Sequence, residues 1–294
     1  MPSWSEIVTE VNSYSDVGLE LDKKRKSYLD QIASITGNNV IAYYSGWLKA
    51  PDAPHVSIDE QDKNAFMTTV YKLDKTKGLD LILHTPGGDI AATESIVTYL
   101  KSIFKGNVRA FIPQISMSAG TMIAMSCKEI IMGEQSSLGP IDPQMGGIAC
   151  QAVIDEFKRA VDEVSKNSAA LGLWQTIISK YHPTFLTACE NAVAWSAKLA
   201  EQWLKDVNPE INFSKIQEVF LNHKSSYSHS RHLSKQDCKD AGLKIIDLEK
   251  NPELQDAVLS LHHCYMILLD KFLISKIVEN NVNGRYIQNY SEKR

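Results

Sequence analysis

Two periods of apolar and polar positions alternate through the middle of the chain. Residues 40–44 form an uninterrupted apolar run, the pattern of a short strand. Over 59–75 the period lengthens. Phe66, Val70 and Leu73 recur at i, i+4 and i+7, which predicts a helix that Ser57 or Asp59 can cap. Residues 79–85 read as a second strand running into Pro86-Gly87-Gly88. A helix over 90–104 follows, with Ile96, Leu100, Ile103 and Phe104 on one face. A strand over 107–112 halts at Pro113, a short helix covers about 118–126, and 129–132 is one more strand. The order β-α-β-α-β-α-β predicts parallel strands with right-handed helical crossovers, an α/β layered fold.

The flanks differ. Residues 1–39 read as a polar helical lead-in, and the charge run at 21–27 as its solvated face. Beyond Gln151 the pattern turns helical, over 151–166, 171–200, 211–223 and 251–279. The Asn-rich segment 280–294 predicts a loose polar tail. The expected organisation is a lead-in over 1–39, one α/β domain over 40–279, and that tail.

Charge and cysteine content narrow the function. Lys and Arg number 31 against 35 Asp and Glu, a net charge of −4 over 294 residues. A protein that grips nucleic acid through its phosphates shows a basic excess, so no nucleic-acid partner is expected. Five cysteines at long gaps, with no Cys-x-x-Cys, argue against a disulfide framework or thiolate zinc site and for a reduced compartment. Residues 1–11 lack the block of a secretory signal. The longest uncharged stretch, 110–127, holds Pro113, Gln114 and three serines before Cys127 and does not read as a membrane span. A cytoplasmic protein is expected.

Two loops that follow strands can carry chemistry. In Thr85-Pro86-Gly87-Gly88-Asp89 the paired glycines bare backbone N–H groups before a helix. They could bind a developing anion, or form a plain tight turn. In Gln114-Ile115-Ser116-Met117-Ser118-Ala119-Gly120-Thr121, Ser118 stands where a strand turns into a helix, with small residues two before and two after. That is the setting of a nucleophile elbow, and equally of a capping serine. A serine hydroxyl needs a base to take its proton. Of eight histidines, His84 lies beside the glycine loop, His262-His263 falls on a packed helix, and His229-x-x-His232 lies in a polar segment without an obvious third metal ligand. Asp142 sits between two prolines, 24 residues after Ser118. It is either an exposed turn residue or a rigidly placed acid.

Taken together, Tyr43-Tyr44-Ser45-Gly46-Trp47-Leu48, Leu83-His84-Thr85-Pro86-Gly87-Gly88-Asp89, Ser116-Met117-Ser118-Ala119-Gly120-Thr121-Met122 and Ser137-Leu138-Gly139-Pro140-Ile141-Asp142-Pro143-Gln144 resemble the motifs of the SDH family of Clp-fold serine proteinases. These are relatives of the Clp proteolytic subunit and of the signal-peptide-peptidase A group. Residues 228–232 and the segment from Cys238 to Leu243 also fit, so the likeness runs over 40–279. It implies a Clp/crotonase-like fold, hydrolysis of a peptide or protein substrate without cofactor or metal, and a ring or other homo-oligomer. Carried over by motif, Ser118 is the nucleophile and Asp142 the orienting acid. His229 is the general base, with His232 as second choice. Gly88 and Ala119, with Gly87, supply the oxyanion hole. The signal-peptide-peptidase relatives use a Ser–Lys dyad instead, and Lys158 and Lys166 follow Ser118 by 40 and 48 residues on a helix that reads as solvated. No ATP-binding motif occurs, so an unfoldase partner would be a separate chain. An acyl-CoA hydratase or thioester hydrolase of the same fold, or an inactive scaffold, are the alternatives.

Overall fold

The computed structural model describes residues 3–223 and 228–291. The first two residues of the expected lead-in, the last three of the expected tail, and 224–227 of the polar segment before His229 lie outside the described residues. The chain divides into two compact units, Met1–Gly139 with His232–Arg294, and Pro140–Arg231.

The strands of the first unit are β1 (Asn39–Ser45), β2 (Leu79–His84), β3 (Val108–Ile112), β4 (Ile115–Ser116), β5 (Glu129–Met132) and β6 (Ser137–Leu138). After β7 (Gln144–Met145) and β8 (Ile148–Ala149) of the second unit come β9 (Leu233–Ser234), β10 (Ile245–Asp247), β11 (Ile274–Asn280) and β12 (Arg285–Asn289). Seven of them form one sheet in the order β10-β5-β3-β2-β1-β11-β12. From β10 to β1 the pairs are parallel, while β11 and β12 are antiparallel additions. The result is an open α/β fold of the Clp/crotonase-like kind, with a mixed rather than wholly parallel sheet.

Helices α1 (Trp4–Asn12) and α2 (Val17–Thr36) cover one face of this sheet. Their Ile7, Val11, Leu21, Leu29 and Ile32 share a buried cluster with Val40, Ala42 and Tyr44 of β1. The strand period of two sends Tyr43 to the opposite face. There its ring stacks on Phe66 of α3 (Asp62–Val70), with centroids 5.9 Å apart. Helix α4 (Ile90–Phe104) is capped by Asp89, whose Oδ1 accepts the Ala92 N–H at 2.8 Å, and α5 (Ala119–Met125) follows β4.

The second unit holds α6 (Cys150–Lys166), α7 (Leu171–Ile178), α8 (Phe185–Val207) and α9 (Phe213–Ile216). Cys150, Val153 and Ile154 of α6 pack with Cys189 of α8. The helix expected over 171–200 is two helices: Pro183, between them, has no N–H for the helical ladder and disfavours a helical backbone at the residue before it. Among the described residues no helix is long and apolar enough to cross a membrane.

The largest departure lies near the C-terminus. Back in the first unit, α10 (Lys235–Asp240) precedes α11 (Pro252–Lys271), and α11 ends well short of the expected 279. Residues 274–280 form β11, buried throughout, and residues 285–289 of the expected loose tail add β12 beside it. Polar side chains of β11 are buried because each has a partner. Glu279 accepts from Arg25 Nε at 2.6 Å and from Tyr265 Oη at 2.8 Å. Lys276 Nζ donates to both oxygens of Asp62 at 2.8 Å, and both side chains are fully buried. Burial pushes the Asp62 carboxyl above its ordinary range, and the ammonium opposes that push. Removing one partner of such a pair leaves the other uncompensated. Lys276→Met is expected to cost about 3–5 kcal/mol, read as a fall in the denaturant midpoint.

Candidate active site

Two loops leave the C-terminal ends of the adjacent parallel strands β2 and β3, the edge where open α/β sheets bind ligands. A parallel bridge between Thr85 and Ser116 joins them. Met117 N–H donates to Thr85 O at 2.9 Å, and Thr85 N–H donates to Ile115 O at 3.3 Å. Ser118 has φ 50° and ψ −118°, a backbone that few non-glycine residues adopt. It stands immediately before α5, yet its hydroxyl makes no cap bond to that helix, and the residue is half-buried. Ser116 is no cap either. It lies in β4, buried, its Oγ without a partner among the described residues. Capping therefore explains neither serine.

The glycine loop lies directly against this turn. Gly87 has φ +94°, and a Cβ there would come within 2.6 Å of Ser118 Cβ and 2.8 Å of Ala119 N. A Cβ on Gly88 would strike the backbone of Ile58, which brackets the loop. Ile58 N–H donates to Gly87 O at 2.7 Å, and Asp89 N–H donates to Ile58 O at 2.9 Å. That bridge uses the groups of Gly87 and Asp89, so the N–H of Gly88 itself turns to the other side. The N–H of Ala119, the first helical residue, has no acceptor within its helix. The Gly87 N–H is engaged, donating to Thr85 Oγ1 at 3.1 Å. Of the three expected oxyanion donors, Gly87 is engaged, whereas the Gly88 and Ala119 N–H groups have no acceptor among the described residues.

The acid and base candidates lie in the second unit. Asp142 is 1% exposed, which excludes the exposed-turn reading. Its loop is tied down by the Ile141 N–H donating to Phe220 O at 2.7 Å and by Ser196 Oγ donating to Ile141 O at 3.0 Å. His229 Nδ1 donates to Asp142 Oδ1 at 2.8 Å. The other oxygen, Oδ2, accepts from Gln144 Nε2 at 3.0 Å and from His223 Nδ1 at 3.2 Å. A carboxylate only accepts, so each imidazole presents an Nδ1–H to it, and in the neutral ring Nε2 carries the basic lone pair. The sequence pointed to His229, with His232 as second choice, and not to His223. His223 ends a helical pattern 81 residues after Asp142 and gave no local sign of this contact.

The remaining candidates have other places. His232 Nδ1 lies 2.9 Å from Ser137 Oγ, within the first unit. Lys158 and Lys166 are exposed on α6, and Lys166 pairs with Asp162 at 2.8 Å. Neither has the burial that a lysine base requires. All five cysteines are buried, and burial pushes the thiols of Cys127, Cys150, Cys238 and Cys264 up to about 12, too high for nucleophiles. Among the described residues no group of three or more His, Cys, Asp and Glu gathers as metal ligands.

His84 stacks on Tyr44 and faces His262, the two imidazole centroids 5.4 Å apart. Burial lowers His84 to about 4 and takes His262 well below its ordinary value. Both are neutral in the folded protein near pH 7, whereas in the unfolded chain they titrate near pH 6.5. Below that pH the unfolded chain binds protons that the folded one refuses. Stability is therefore full above about pH 6.5 and drains as pH falls toward 4, by about 3 kcal/mol for His84 alone. Denaturant midpoints measured at intervals down to about pH 4.5 should decline steadily, with the slope confined to that window.

Residues 10–180 match the family model described as ClpP-like SDH-type serine proteinase, more than half of the chain. The match takes in Ser118 and Asp142 and stops short of His229. Two proteins of Methanocaldococcus jannaschii are similar. The uncharacterized protein MJ0137 is 26% identical over 185 residues, 63% of this chain and 59% of that protein. The uncharacterized protein MJ1495 is 32% identical over 111 residues, 38% of each chain. The alignments therefore span less than two thirds of either relative. With a family match that extends over both strand-end loops and over Asp142, the chain belongs to the ClpP-like SDH-type serine proteinases.

Proposed function

We propose that the protein is a serine peptidase that cleaves peptide or protein substrates through an acyl-enzyme. Ser118 is the nucleophile, His229 the general base and Asp142 the acid that orients it. The Gly88 and Ala119 N–H groups receive the oxyanion. Ser118 Oγ bonds to the scissile carbonyl carbon while His229 Nε2 takes the hydroxyl proton. The same nitrogen returns that proton to the departing amine as the C–N bond breaks, and water repeats the cycle on the ester. Asp142 holds the ring by Nδ1 and stabilises the imidazolium. Donors fixed where the carbonyl oxygen gains charge lower the barrier most, each worth about 10²–10³ in rate.

The observation that carries this reading is the backbone of Ser118. A strained serine before a helix, with its hydroxyl unused for capping and a glycine pressed against its Cβ, is kept in that form for reactivity rather than for stability. A fluorophosphonate probe tests it. Mass spectrometry of the labelled folded protein should locate the adduct on Ser118, and no adduct there would overturn the assignment. The family resemblance extends the proposal to a homo-oligomer, and the cysteine usage to a reduced, cytoplasmic compartment. Sedimentation at micromolar concentration should then show a species larger than one 32.9 kDa chain.

A further inference from the structure

We infer that Ser137 and His232 are positioning residues for the acid–base pair, their side-chain hydrogen bond stapling together the two strands whose continuations carry Asp142 and His229. The inference rests on the assignment of Asp142 and His229 as acid and base. It goes beyond that assignment, since it gives Ser137 and His232 no part in the bonds made or broken.

The small sheet of the first unit has the order β4-β6-β9. Strand β6 runs parallel to β4, with Ile115 opposite Ser137 and Ser116 opposite Leu138. It runs antiparallel to β9, with Ser137 opposite Ser234 and Leu138 opposite Leu233. The C-terminal ends of β4 and β6 and the N-terminal end of β9 therefore share one end of the sheet. In sequence, each member of the proposed triad lies just past that end. Ser118 follows Ser116 by two residues, Asp142 follows Leu138 by four, and His229 precedes Leu233 by four. Because Leu138 and Leu233 stand opposite one another, the equal counts put Asp142 and His229 in step along the two departing chains. Within the second unit these two residues are hydrogen-bonded at 2.8 Å.

A side chain ties each strand pair at that same end. Between β4 and β6 the tie is Thr121, fully buried, whose Oγ1 donates to Ser116 O at 2.8 Å and accepts the Gly139 N–H at 3.0 Å. Between β6 and β9 the tie is His232, whose Nδ1 lies 2.9 Å from Ser137 Oγ. His232 stands immediately before β9 and three residues after His229. The ladder it reinforces has two residues on each strand, and a slip of one residue would turn every side chain of β9 to the other face. The far end of β9 has its own anchors. Ser234 and Asp237 form a capping box, and Lys235 Nζ donates to Glu249 at 3.0 Å. The His232–Ser137 bond holds the end that leads to His229. Losing it lets that segment shift against the Asp142 loop, and a base misplaced by a fraction of an ångström takes the serine proton poorly.

The test uses Ser137→Ala, His232→Ala, His232→Asn and the Ser137→Ala/His232→Ala double variant of the full chain. Two readouts are taken. One is the rate of fluorophosphonate labelling together with peptide kinetics. The other is the pair of imidazole nitrogen chemical shifts of His229 in isotope-labelled protein, recorded with the ring neutral and assigned by their loss in His229→Ala. These shifts report which ring nitrogen carries the proton, and wild type should show the Nδ1–H form that the bond to Asp142 requires. Ser137→Ala and His232→Ala should each lower labelling rate and kcat by about three- to tenfold with KM little changed, and move His229 toward a mixture of tautomers. His232→Asn, whose amide can reach Ser137 where Nδ1 did, should restore both readouts. The double variant should be no slower than the worse single one, because either change removes the same bond. Wild-type rates and His229 shifts in both folded single variants would overturn the inference. So would a loss in His232→Ala as deep as that in Ser118→Ala with Ser137→Ala unaffected, which would make His232 the base. Should Ser137→Ala fail to fold, His232→Ala, at an exposed position, decides by the same criteria. Wild-type protein that never reacts with the probe would instead defeat the nucleophile assignment, and the His229 shifts would still decide the staple.

Discussion

Ser118→Ala is expected to abolish labelling by the fluorophosphonate and to lower peptide hydrolysis by about 10⁴–10⁶, because removing the attacking oxygen leaves only substrate binding and the oxyanion donors. The fold should be unaffected, since the hydroxyl makes no cap bond to α5. Ser118→Gly should be equally inactive but more stable. The backbone at φ 50° and ψ −118° costs a residue with a Cβ about 1–3 kcal/mol, a cost glycine escapes in large part. Alanine keeps that Cβ and so keeps the strain. The difference in melting temperature between the two inactive variants, about 2–4 °C for a chain of this size, therefore measures what the elbow withdraws from stability. Equal melting temperatures would mean the turn is not strained. Retention of a tenth of the activity in Ser118→Ala would move the nucleophile elsewhere.

The parts of this site that the sequence made legible are those in which the signal is local. A strand-end Pro-Gly-Gly and a Ser-Met-Ser-Ala-Gly turn announce their backbone through residues that few other conformations demand, and β2, β3, β5 and α4 fall close to the spans read from their periods. What stayed hidden depends on partners far along the chain. Strand β11 carries Lys276 and Glu279, which fall within the helix expected over 251–279. Their burial makes sense only with Asp62 and Arg25, 214 and 254 residues earlier, in place. The same distance conceals the partner of Tyr43, for nothing near it in sequence reveals that its hydroxyl donates to the buried carboxylate of Asp62. Family motifs named Gly87 as an oxyanion donor, but only the hydroxyl of Thr85 two residues before it reveals that this amide is engaged. His232 illustrates the converse. Motif spacing left it beside His229 as a possible base, and its contact with Ser137 gives it a separate occupation.

Asp142→Asn should reduce kcat by about 10⁴ while leaving KM and the fold nearly intact. The carboxylate receives three donors, from His229, His223 and Gln144, on two oxygens. An amide offers one oxygen and an NH₂ in their place. If the NH₂ faces His229, the ring must move its proton from Nδ1 to Nε2, and the lone pair that would take the serine proton is gone. If instead the oxygen faces His229, the NH₂ meets the donors of His223 and Gln144, and two donors are left facing a donor. Either orientation predicts a large loss in turnover from the exchange of one atom. The two histidines then separate by their oxygens. His229→Ala removes the base and should match Ser118→Ala in its effect. His223→Ala leaves Oδ2 still bonded to Gln144, so Asp142 keeps its position and the loss should stay within about tenfold. Single-turnover labelling rates for the three variants make the comparison without product release intervening. An outcome in which His223→Ala is as damaging as His229→Ala would assign the proton transfer to the ring on Oδ2, and Asp142 would then orient His223 in place of His229.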